Sequence, residues 1–255
     1  MFRVVIPARH ASTRLPGKPL LPIAGEPMIL HVQRLALRSG AAEVVIATDD
    51  ARIRDTCLAA GAMVEMTSAD HASGTDRIAE IAARRGWADQ DIVVNVQGDE
   101  PLLPPALIGQ VAGLLTATRG AAMATLATPI LSKREFLDPN VVKVVARPDG
   151  MALYFSRAPI PWDRDDADDT PTGTARFHGC RRHLGIYAYR VDALLALAST
   201  APVEIERRER LEQLRALAIG LAIVVGDARE LPGPGVDTPE DLARADAILR
   251  EAARR

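Results

Sequence analysis

The residues best suited to chemistry lie in a short basic loop near the start of the chain. The loop carries Arg9, Ser12, Arg14 and Lys18, follows an apolar strand and has almost no carboxylate to neutralise its charge. Open α/β sheets bind ligands at the carboxyl ends of their strands, and arginine and lysine side chains bind phosphate groups. Gly17 and Lys18 are followed by proline, which excludes a Walker A loop, and no Gly-x-Gly-x-x-Gly follows the strand. We therefore predict a polyphosphate site in which the three cations supply charge and Ser12 a hydrogen bond.

Two carboxylates could bind a metal ion beside such phosphates. Asp99 follows the apolar segment 91–96, so it lies at the carboxyl edge of a predicted strand. A carboxylate there can hold Mg²⁺, which keeps most of its water and bridges phosphate oxygens through one or two protein ligands. Glu100 is the competing ligand, although the proline after it indicates a turn that directs its side chain elsewhere. Asp237 is the second candidate, but a helix-start pattern follows it, so the residues alone favour a position leading into a helix cap.

The elements that must position these residues alternate along the first half of the chain. Apolar periodicity predicts strands at 3–7, 43–48, 63–66 and 91–96 and helices at 27–39, 50–60 and 75–85. Such an alternation is typical of a mostly parallel sheet with helices on both faces. We therefore predict an α/β fold with a Rossmann-like, mixed but mainly parallel sheet.

The second half of the chain shows a looser pattern. A helix from 105 to about 116 is followed by strand-like segments at 123–128, 141–146, 152–155 and 184–190, some of which we expect to pair antiparallel. Helices at 191–197 and 204–219, a strand at 222–225 and a helix at 238–253 complete the pattern. Residues 163–182 are polar and rich in aspartate, which predicts an exposed loop. Because no repeat or linker separates two units, we predict a single domain over 1–255.

Composition limits the class of protein. The 255 residues are 48% hydrophobic, and a net charge of −2 gives no general attraction to nucleic acid or anionic membranes. Cys57 and Cys180 form no zinc-binding pattern and suit a reducing compartment. The chain starts directly with a strand and has no apolar run long enough to cross a bilayer. We predict a cytoplasmic protein that does not insert into membranes.

Besides the basic loop, six segments form a pattern that runs in order along nearly the whole chain. They are 71–75 (HASGT), 94–101 (VNVQGDEP), 152–157 (ALYFSR), 182–187 (RHLGIY), 211–214 (LEQL) and 235–241 (GVDTPED). Together they resemble the 3-deoxy-manno-octulosonate cytidylyltransferase family. The resemblance implies the fold of nucleotide-diphospho-sugar transferases and a reaction of CTP with 3-deoxy-D-manno-octulosonate (Kdo) that gives CMP-Kdo and pyrophosphate. It also implies Mg²⁺ as cofactor, a homodimer, and a role in lipopolysaccharide biosynthesis.

The resemblance further implies roles for individual residues. Lys18 is expected to stabilise charge near the α-phosphate, and Asp99 and Asp237 to bind Mg²⁺, so these three form the catalytic set. The residues expected to bind CTP are Arg9, Ser12, Arg14, Lys18, Ser73, Gly74 and Arg77. Those expected to bind the sugar are Gln97, Arg164, His183, Tyr187, Glu212 and Gln213.

Plainer interpretations stay open for several of these residues. Ser73 or Thr75 could be an ordinary helix cap. Glu212 and Gln213 have the pattern of a solvated pair on a helix surface. His183 could accept a proton from the attacking hydroxyl, although we favour a role in orienting the sugar.

Alternatives also remain for the function. Residues 163–182 do not align confidently with the family pattern, so another acidic sugar, amino-Kdo or a sialic-acid-like sugar, is the main alternative. A nucleotide-binding regulatory module without turnover is the second, and the combination of Lys18, Asp99 and Asp237 counts against it. A dehydrogenase is the third, and the missing glycine pattern counts against that. Within a single domain, we expect the region at about 141–190 to serve sugar binding and dimerisation.

Overall fold

A nine-stranded sheet forms the centre of the computed structural model, which describes residues 1–11, 15–164, 179–252 and 254. The strands run in the order β11-β7-β10-β6-β1-β4-β5, and β8 pairs with β10 and β9. Their bounds are β1 (Phe2–Ala8), β4 (Glu43–Thr48), β5 (Met63–Met66), β6 (Ile92–Asn95), β7 (Met123–Pro129), β8 (Lys143–Ala146), β9 (Ala152–Ser156), β10 (Arg181–Arg190) and β11 (Ile223–Asp227). A separate small hairpin consists of β2 (Pro22–Ile23) and β3 (Glu26–Pro27).

Parallel pairing joins β6, β1, β4 and β5, and β11 pairs parallel with β7. The strand β10 is antiparallel to its three neighbours β6, β7 and β8. The predicted mixed, mainly parallel sheet is therefore confirmed, together with the expectation of antiparallel pairing in the second half of the chain.

Helices cover both faces of the sheet. They are α1 (Met28–Leu37), α2 (Ala51–Ala59), α3 (Gly74–Arg84), α4 (Pro105–Ala117), α5 (Lys133–Leu137), α6 (Val191–Ser199), α7 (Glu204–Glu209), α8 (Gln213–Ala218) and α9 (Pro239–Ala252). Side chains of a strand alternate between faces, so Val4 and Ile6 pack with α1, α2 and α4, whereas Val5 packs with α3, α6 and α8. Burial on both sides explains why the central strands are continuously apolar.

The predicted single helix at 204–219 is wrong, because the structure divides it into α7 and α8. Arg210 adopts a left-handed conformation with φ of 53°, which ends α7, and its N–H donates to the Glu206 carbonyl. Helical periodicity continues across the break, so the apolar pattern alone could not reveal it. The consequence is that Glu212 lies at a corner between two helices rather than on an exposed helix surface.

The hairpin β2–β3 and the short helix α5 were not predicted, since both are too brief to show periodicity. β10 also begins three residues earlier than the predicted segment at 184, at Arg181. Among the described helices, none combines the length and apolar character needed to cross a membrane.

Candidate active site

The candidate site lies where the carboxyl ends of β1 and β6 meet. These strands pair in parallel, so the loops that follow Ala8 and Asn95 leave the same edge of the sheet. Between them is a cleft of about 240 Å³. Its lining is Pro7, Ala8, Arg9, Lys18, Pro19, Met28, His71, Ala72, Ser73, Gly74, Arg77, Gln97, Gly98, Asp99 and Asp237.

Lys18 is buried at the base of this cleft between two carboxylates. Its Nζ donates to Asp99 Oδ2 at 2.5 Å and to Asp237 Oδ1 at 3.1 Å. Gly17, in a left-handed conformation with φ of 67°, begins the short 3₁₀ helix Lys18–Leu20, and its N–H donates to the His10 carbonyl at 3.2 Å. That turn directs Lys18 into the cleft, where two anions stabilise its buried charge.

Asp99 and Asp237 are brought together by the backbone as well as by Lys18. The Val236 N–H donates to the Asp99 carbonyl at 2.9 Å, which fastens the segment before α9 to the turn after β6. The cap of α9 is made by Thr238, whose Oγ1 accepts from the Asp241 N–H at 3.2 Å. The helix cap therefore does not use the Asp237 carboxylate, which lines the cleft.

Glu100 is directed away from this pair, as the proline after it indicated. It lines a neighbouring cleft of about 90 Å³ together with Arg182 and His183. Burial and the nearby carboxylates of Asp99 and Asp237 raise the pKa of Glu100 to about 7. With this pKa, Glu100 is partly protonated at neutral pH, and a protonated carboxyl group is a poor ligand for a hard cation.

The turn before α3 forms the wall of the first cleft. Ser73 is the N-cap: its Oγ accepts from the Asp76 N–H at 3.2 Å, and Asp76 accepts from the Ser73 N–H at 3.0 Å. The plain cap interpretation is thus correct for Ser73, but Ser73 also lines the cleft. Gly74 lies against β1, where a Cβ would be 3.1 Å from Pro7 Cγ, so only glycine fits without a shift.

Arg77 lines the same cleft from the first turn of α3, and its guanidinium is held by the protein. It donates to Asp49 Oδ2 at 2.7 Å, to Thr67 Oγ1 at 2.6 Å and to the Ser68 carbonyl at 3.1 Å. These bonds fix the position of its charge. Arg77 therefore presents a guanidinium of fixed position at the cleft wall, with its charge paired to Asp49.

His71 is a lining residue to which the sequence analysis assigned no role. Its Nε2 lies 2.5 Å from Glu80 Oε2, and Glu80 in turn accepts from the Ser68 N–H at 2.9 Å. His71 belongs to the HASGT segment at 71–75, and four of the five residues of that segment line the cleft. Its place in that segment could have identified His71 as a site residue.

A second cleft of about 140 Å³ adjoins the first, and Gly74 and Gln97 line both. Its remaining lining residues are Thr75, Asn95, Met123, Gly185, Tyr187, Tyr189, Leu197, Glu212 and Gln213. The hydroxyl of Tyr187 is buried and has no hydrogen-bond partner among the described residues. A buried hydroxyl without a partner is costly, so this cleft suits a ligand that carries hydroxyl groups.

Glu212 and Gln213 lie in this second cleft, so the interpretation as a solvated helix-surface pair is not supported by their placement. Burial raises the pKa of Glu212, and hydrogen bonds from the hydroxyls of Thr75 and Ser73 oppose that rise. Tyr189 and Tyr187 are two residues apart on β10 and therefore share a face, a period-two signal that could have identified Tyr189 as well.

His183 lies at the junction with the neighbouring cleft, its ring 5.2 Å from that of Tyr187. Burial lowers its pKa to about 3, so the imidazole is neutral at pH 7. Thr125 Oγ1 is 2.9 Å from His183 Nε2 and donates its one proton to the carbonyl of Ile186 or Leu184. Nε2 of His183 is therefore the protonated nitrogen, which leaves Nδ1 as an acceptor.

Among the described residues that were predicted to bind a substrate, Arg164 is not brought to these clefts. Ser12 and Arg14 lie outside the described residues. Arg164 is exposed and does not line the second cleft. Arg9, in contrast, is exposed and lines the first cleft.

The paired clefts define a protein that holds an anionic ligand against a hydroxyl-rich one, the arrangement a group transferase needs. Residues 3–223 match the family model described as Cytidylyltransferase.

The names of individual relatives specify the reaction more closely than the description of the family model does. A 3-deoxy-manno-octulosonate cytidylyltransferase of Thioalkalivibrio sulfidiphilus (strain HL-EbGR7) is 56% identical over 249 residues, with 98% of this chain and 99% of the relative covered. Another, from Halorhodospira halophila (strain DSM 244 / SL1), is 54% identical, with 98% and 96% covered. A solved structure of a CMP:2-keto-3-deoxy-manno-octonic acid synthetase complexed with CTP matches with a TM-score of 0.88 and 40% identity, covering 99% of this chain and 100% of that one. The chain belongs to the cytidylyltransferase family, and within it to the 3-deoxy-manno-octulosonate cytidylyltransferases.

Proposed function

We propose that this protein couples CTP to Kdo and releases CMP-Kdo and pyrophosphate. The observation that carries the proposal is the meeting of two clefts at Gly74 and Gln97, one lined by Arg9 and Lys18 and the other by the unpaired Tyr187 hydroxyl. Relatives with more than half of their residues identical carry the name of this reaction, and the similar solved structure is described as a complex with CTP.

In this reaction a sugar hydroxyl oxygen attacks the α-phosphorus of CTP. The new bond joins that oxygen to phosphorus, the bond to the bridging oxygen breaks, and pyrophosphate leaves with the bonding electrons. The proton of the attacking hydroxyl passes to water. Negative charge grows on the bridging oxygen, so a fixed cation next to it lowers the barrier. Lys18 and Arg77 are buried cations of the first cleft. Because the Arg77 guanidinium is held by Asp49, Thr67 and Ser68, we assign Lys18 to this charge.

We assign the cations and backbone amides of the first cleft to CTP and call this cleft the nucleotide cleft. Arg9 and Lys18 would contact the phosphates, with Ser12 and Arg14 of the same loop. Ser73, Gly74 and the fixed charge of Arg77 would face the base, because pyrimidines differ little in shape and are told apart by hydrogen bonds.

Asp99 and Asp237 are assigned to a Mg²⁺ ion. Two carboxylates with room for phosphate oxygens and water form the donor set that Mg²⁺ prefers. Among the residues the structure describes, no three His, Cys, Asp or Glu side chains group into a metal site, which fits an ion that completes its shell with phosphate and water. When bound, such an ion neutralises phosphate charge and polarises the reacting oxygens. Lys18 Nζ contacts the same two carboxylates, so binding the ion would require the ammonium to move towards the phosphates.

We assign the second cleft to the sugar and call it the sugar cleft. Tyr187, Glu212, Gln213 and Gln97 would bind the hydroxyls of the sugar. The neutral His183 lines the neighbouring cleft beside Tyr187 and would orient the sugar from there. A group with a pKa of about 3 is a weak base, which favours orientation over proton transfer. Arg164 as a partner for the sugar carboxylate stays a prediction, as do the homodimer, the cytoplasmic location and the lipopolysaccharide pathway.

The test is pyrophosphate release from CTP with three sugars: Kdo, amino-Kdo and sialic acid. The proposal expects the highest kcat/KM with Kdo and loss of turnover when EDTA removes Mg²⁺. Turnover only with sialic acid would overturn the sugar assignment, and binding of CTP without any turnover would favour a regulatory module. Full activity in EDTA would contradict the metal assignment alone.

A further inference from the structure

A buried ion pair lies directly behind the sugar cleft, at the corner between α7 and α8. Arg215 and Glu206 are 6% and 8% exposed. Arg215 Nε donates to Glu206 Oε2 at 2.9 Å and its second nitrogen to Oε1 at 2.5 Å, so the pair is bidentate. This geometry cannot be reproduced by lysine, which presents a single point charge.

The same guanidinium binds a third element. Its remaining nitrogen donates to the carbonyls of Leu197 and Thr200 at 3.1 and 3.0 Å, at the end of α6. Glu206 also accepts from the Val203 N–H at 3.1 Å. The ends of α6, α7 and α8 are thus tied to one side chain, and Leu197 itself lines the sugar cleft.

Glu212 lines the sugar cleft three residues before Arg215 and lies beside this Arg215–Glu206 clamp. Its Oε2 lies 4.0 Å from the Arg215 guanidinium. On its other side the carboxylate accepts hydrogen bonds from the hydroxyls of Ser73 and Thr75, at the start of α3. Ser73 lines the nucleotide cleft and Thr75 the sugar cleft, so Glu212 spans the boundary between the two.

We infer that Arg215, held by Glu206, is a positioning residue that fixes the Glu212 carboxylate between the sugar cleft and the turn before α3. The inference deepens the proposed function and rests on it. The left-handed residue Arg210 ends α7, and the clamp joins α7 to α8 across the corner that contains Glu212.

A loosened clamp should affect the two substrates unequally. Sugar contacts depend on where Glu212 and Gln213 point, whereas the basic side of the nucleotide cleft is built from β1 and the loop after it. The Arg215→Lys variant should therefore raise the KM for Kdo about tenfold, with the KM for CTP changed less than about twofold.

The experiment compares Arg215→Lys and Glu206→Gln with Arg85→Lys as a matched control. Arg85 also binds two carboxylates, Glu43 and Glu65, but Glu43 begins β4, at the end of that strand opposite to the clefts. All three variants should lose thermal stability, and only the first two should change the KM for Kdo. Glu206→Gln keeps the shape of the pair and provides the measurement if Arg215→Lys does not fold.

The second arm repeats Arg215→Lys in a Glu212→Gln background. If Arg215 acts through Glu212, the additional rise in the KM for Kdo should be less than about twofold there. A full tenfold rise in that background, or equal changes in both KM values, would overturn the inference while leaving the proposed function intact. Wild-type protein that makes no CMP-Kdo would overturn both.

Discussion

At the scale of single residues, the site depends on charges that the fold holds in place. Lys18 is 8% exposed and lies between Asp99 and Asp237, which offsets the cost of burying an ammonium group. The same contacts hold it at the base of the cleft, from which it would move towards a phosphate when the two carboxylates bind Mg²⁺. A residue with both roles should affect turnover far more than stability.

The Lys18→Ala variant should lower kcat by about 10²- to 10³-fold, because a preorganised charge at the reacting phosphate is lost. The KM for Kdo should change little, since Lys18 does not line the sugar cleft. Steady-state kinetics with pyrophosphate detection measures both constants. Lys133→Ala, on the exposed surface of α5, is the control, and equal kcat values for the two variants would show that the Lys18 cation is incidental.

His183 provides a prediction about pH. Its pKa in the folded protein, about 3, is below the ordinary value of 6.5, so folding favours the neutral imidazole. The stability from this group is therefore fully present above pH 6.5 and is lost as pH falls towards 3. When the pH is lowered from 7 to 5.5, the free energy of unfolding measured by urea titration should decrease less in His183→Gln than in the wild type. An NMR titration of the wild-type His183 ring near pH 6.5 would contradict the prediction.

At the scale of elements, close approach of strand ends decides what the site can tolerate. The turn after β6 passes so near β1 that a Cβ on Gly98 would lie 3.0 Å from the Pro7 carbonyl oxygen and 3.3 Å from Ile29 Cδ1. The carbonyl belongs to the central strand of the sheet and has little freedom to move. The requirement at Gly98 is for space, since its φ is not in the left-handed region.

The Gly98→Ala variant should be destabilised by about 1–3 kcal/mol through overpacking, and it should lose activity because the turn carries Asp99. Gly113→Ala is the matched control: its Cβ meets nothing within 4 Å in the described structure, and it lies inside α4. The control should be neutral or stabilised by up to about 1 kcal/mol, because alanine favours a helix over glycine. Urea unfolding measures both, and similar stability of the two variants would show that the β1–β6 approach is not limiting.

At the scale of the whole molecule, the proposed catalytic set joins distant parts of the chain. Lys18 is 81 residues from Asp99 and 219 from Asp237, and the two carboxylates belong to the turn after a central strand and to the start of the last helix. A ligand that binds all three should therefore stabilise the fold as one unit.

Saturating CTP with Mg²⁺ should raise the Tm of the wild type. The free energy of unfolding should increase by about 2.7 kcal/mol when the ligand is at 100 times its Kd. In Asp237→Asn the gain should fall to that seen with CTP and EDTA, because the metal-dependent part is lost. Thermal unfolding with each ligand set measures this. Glu240→Gln, an exposed acid three residues away, should behave like the wild type, and an Mg²⁺-dependent gain retained in Asp237→Asn would remove that residue from the metal site.

Local sequence determined the strands and helices wherever periodicity was long enough. The strands at 43–48 and 63–66 were predicted with the bounds that the structure has, and β1 and α3 were within one residue at each end. The basic loop and the carboxyl-edge position of Asp99 also follow from local pattern, since parallel strands place their carboxyl ends together.

Tertiary structure alone decided how Asp237 and Glu212 are used. The four residues after Asp237 encode a helix cap, and the bond from Val236 to Asp99 and the contact with Lys18 show that its carboxylate faces the cleft. Glu212 has the local pattern of a surface residue, and the left-handed Arg210 and the Arg215–Glu206 pair direct it inward. Contacts between residues far apart in the chain carry no local periodicity, so they become visible only when the chain is folded.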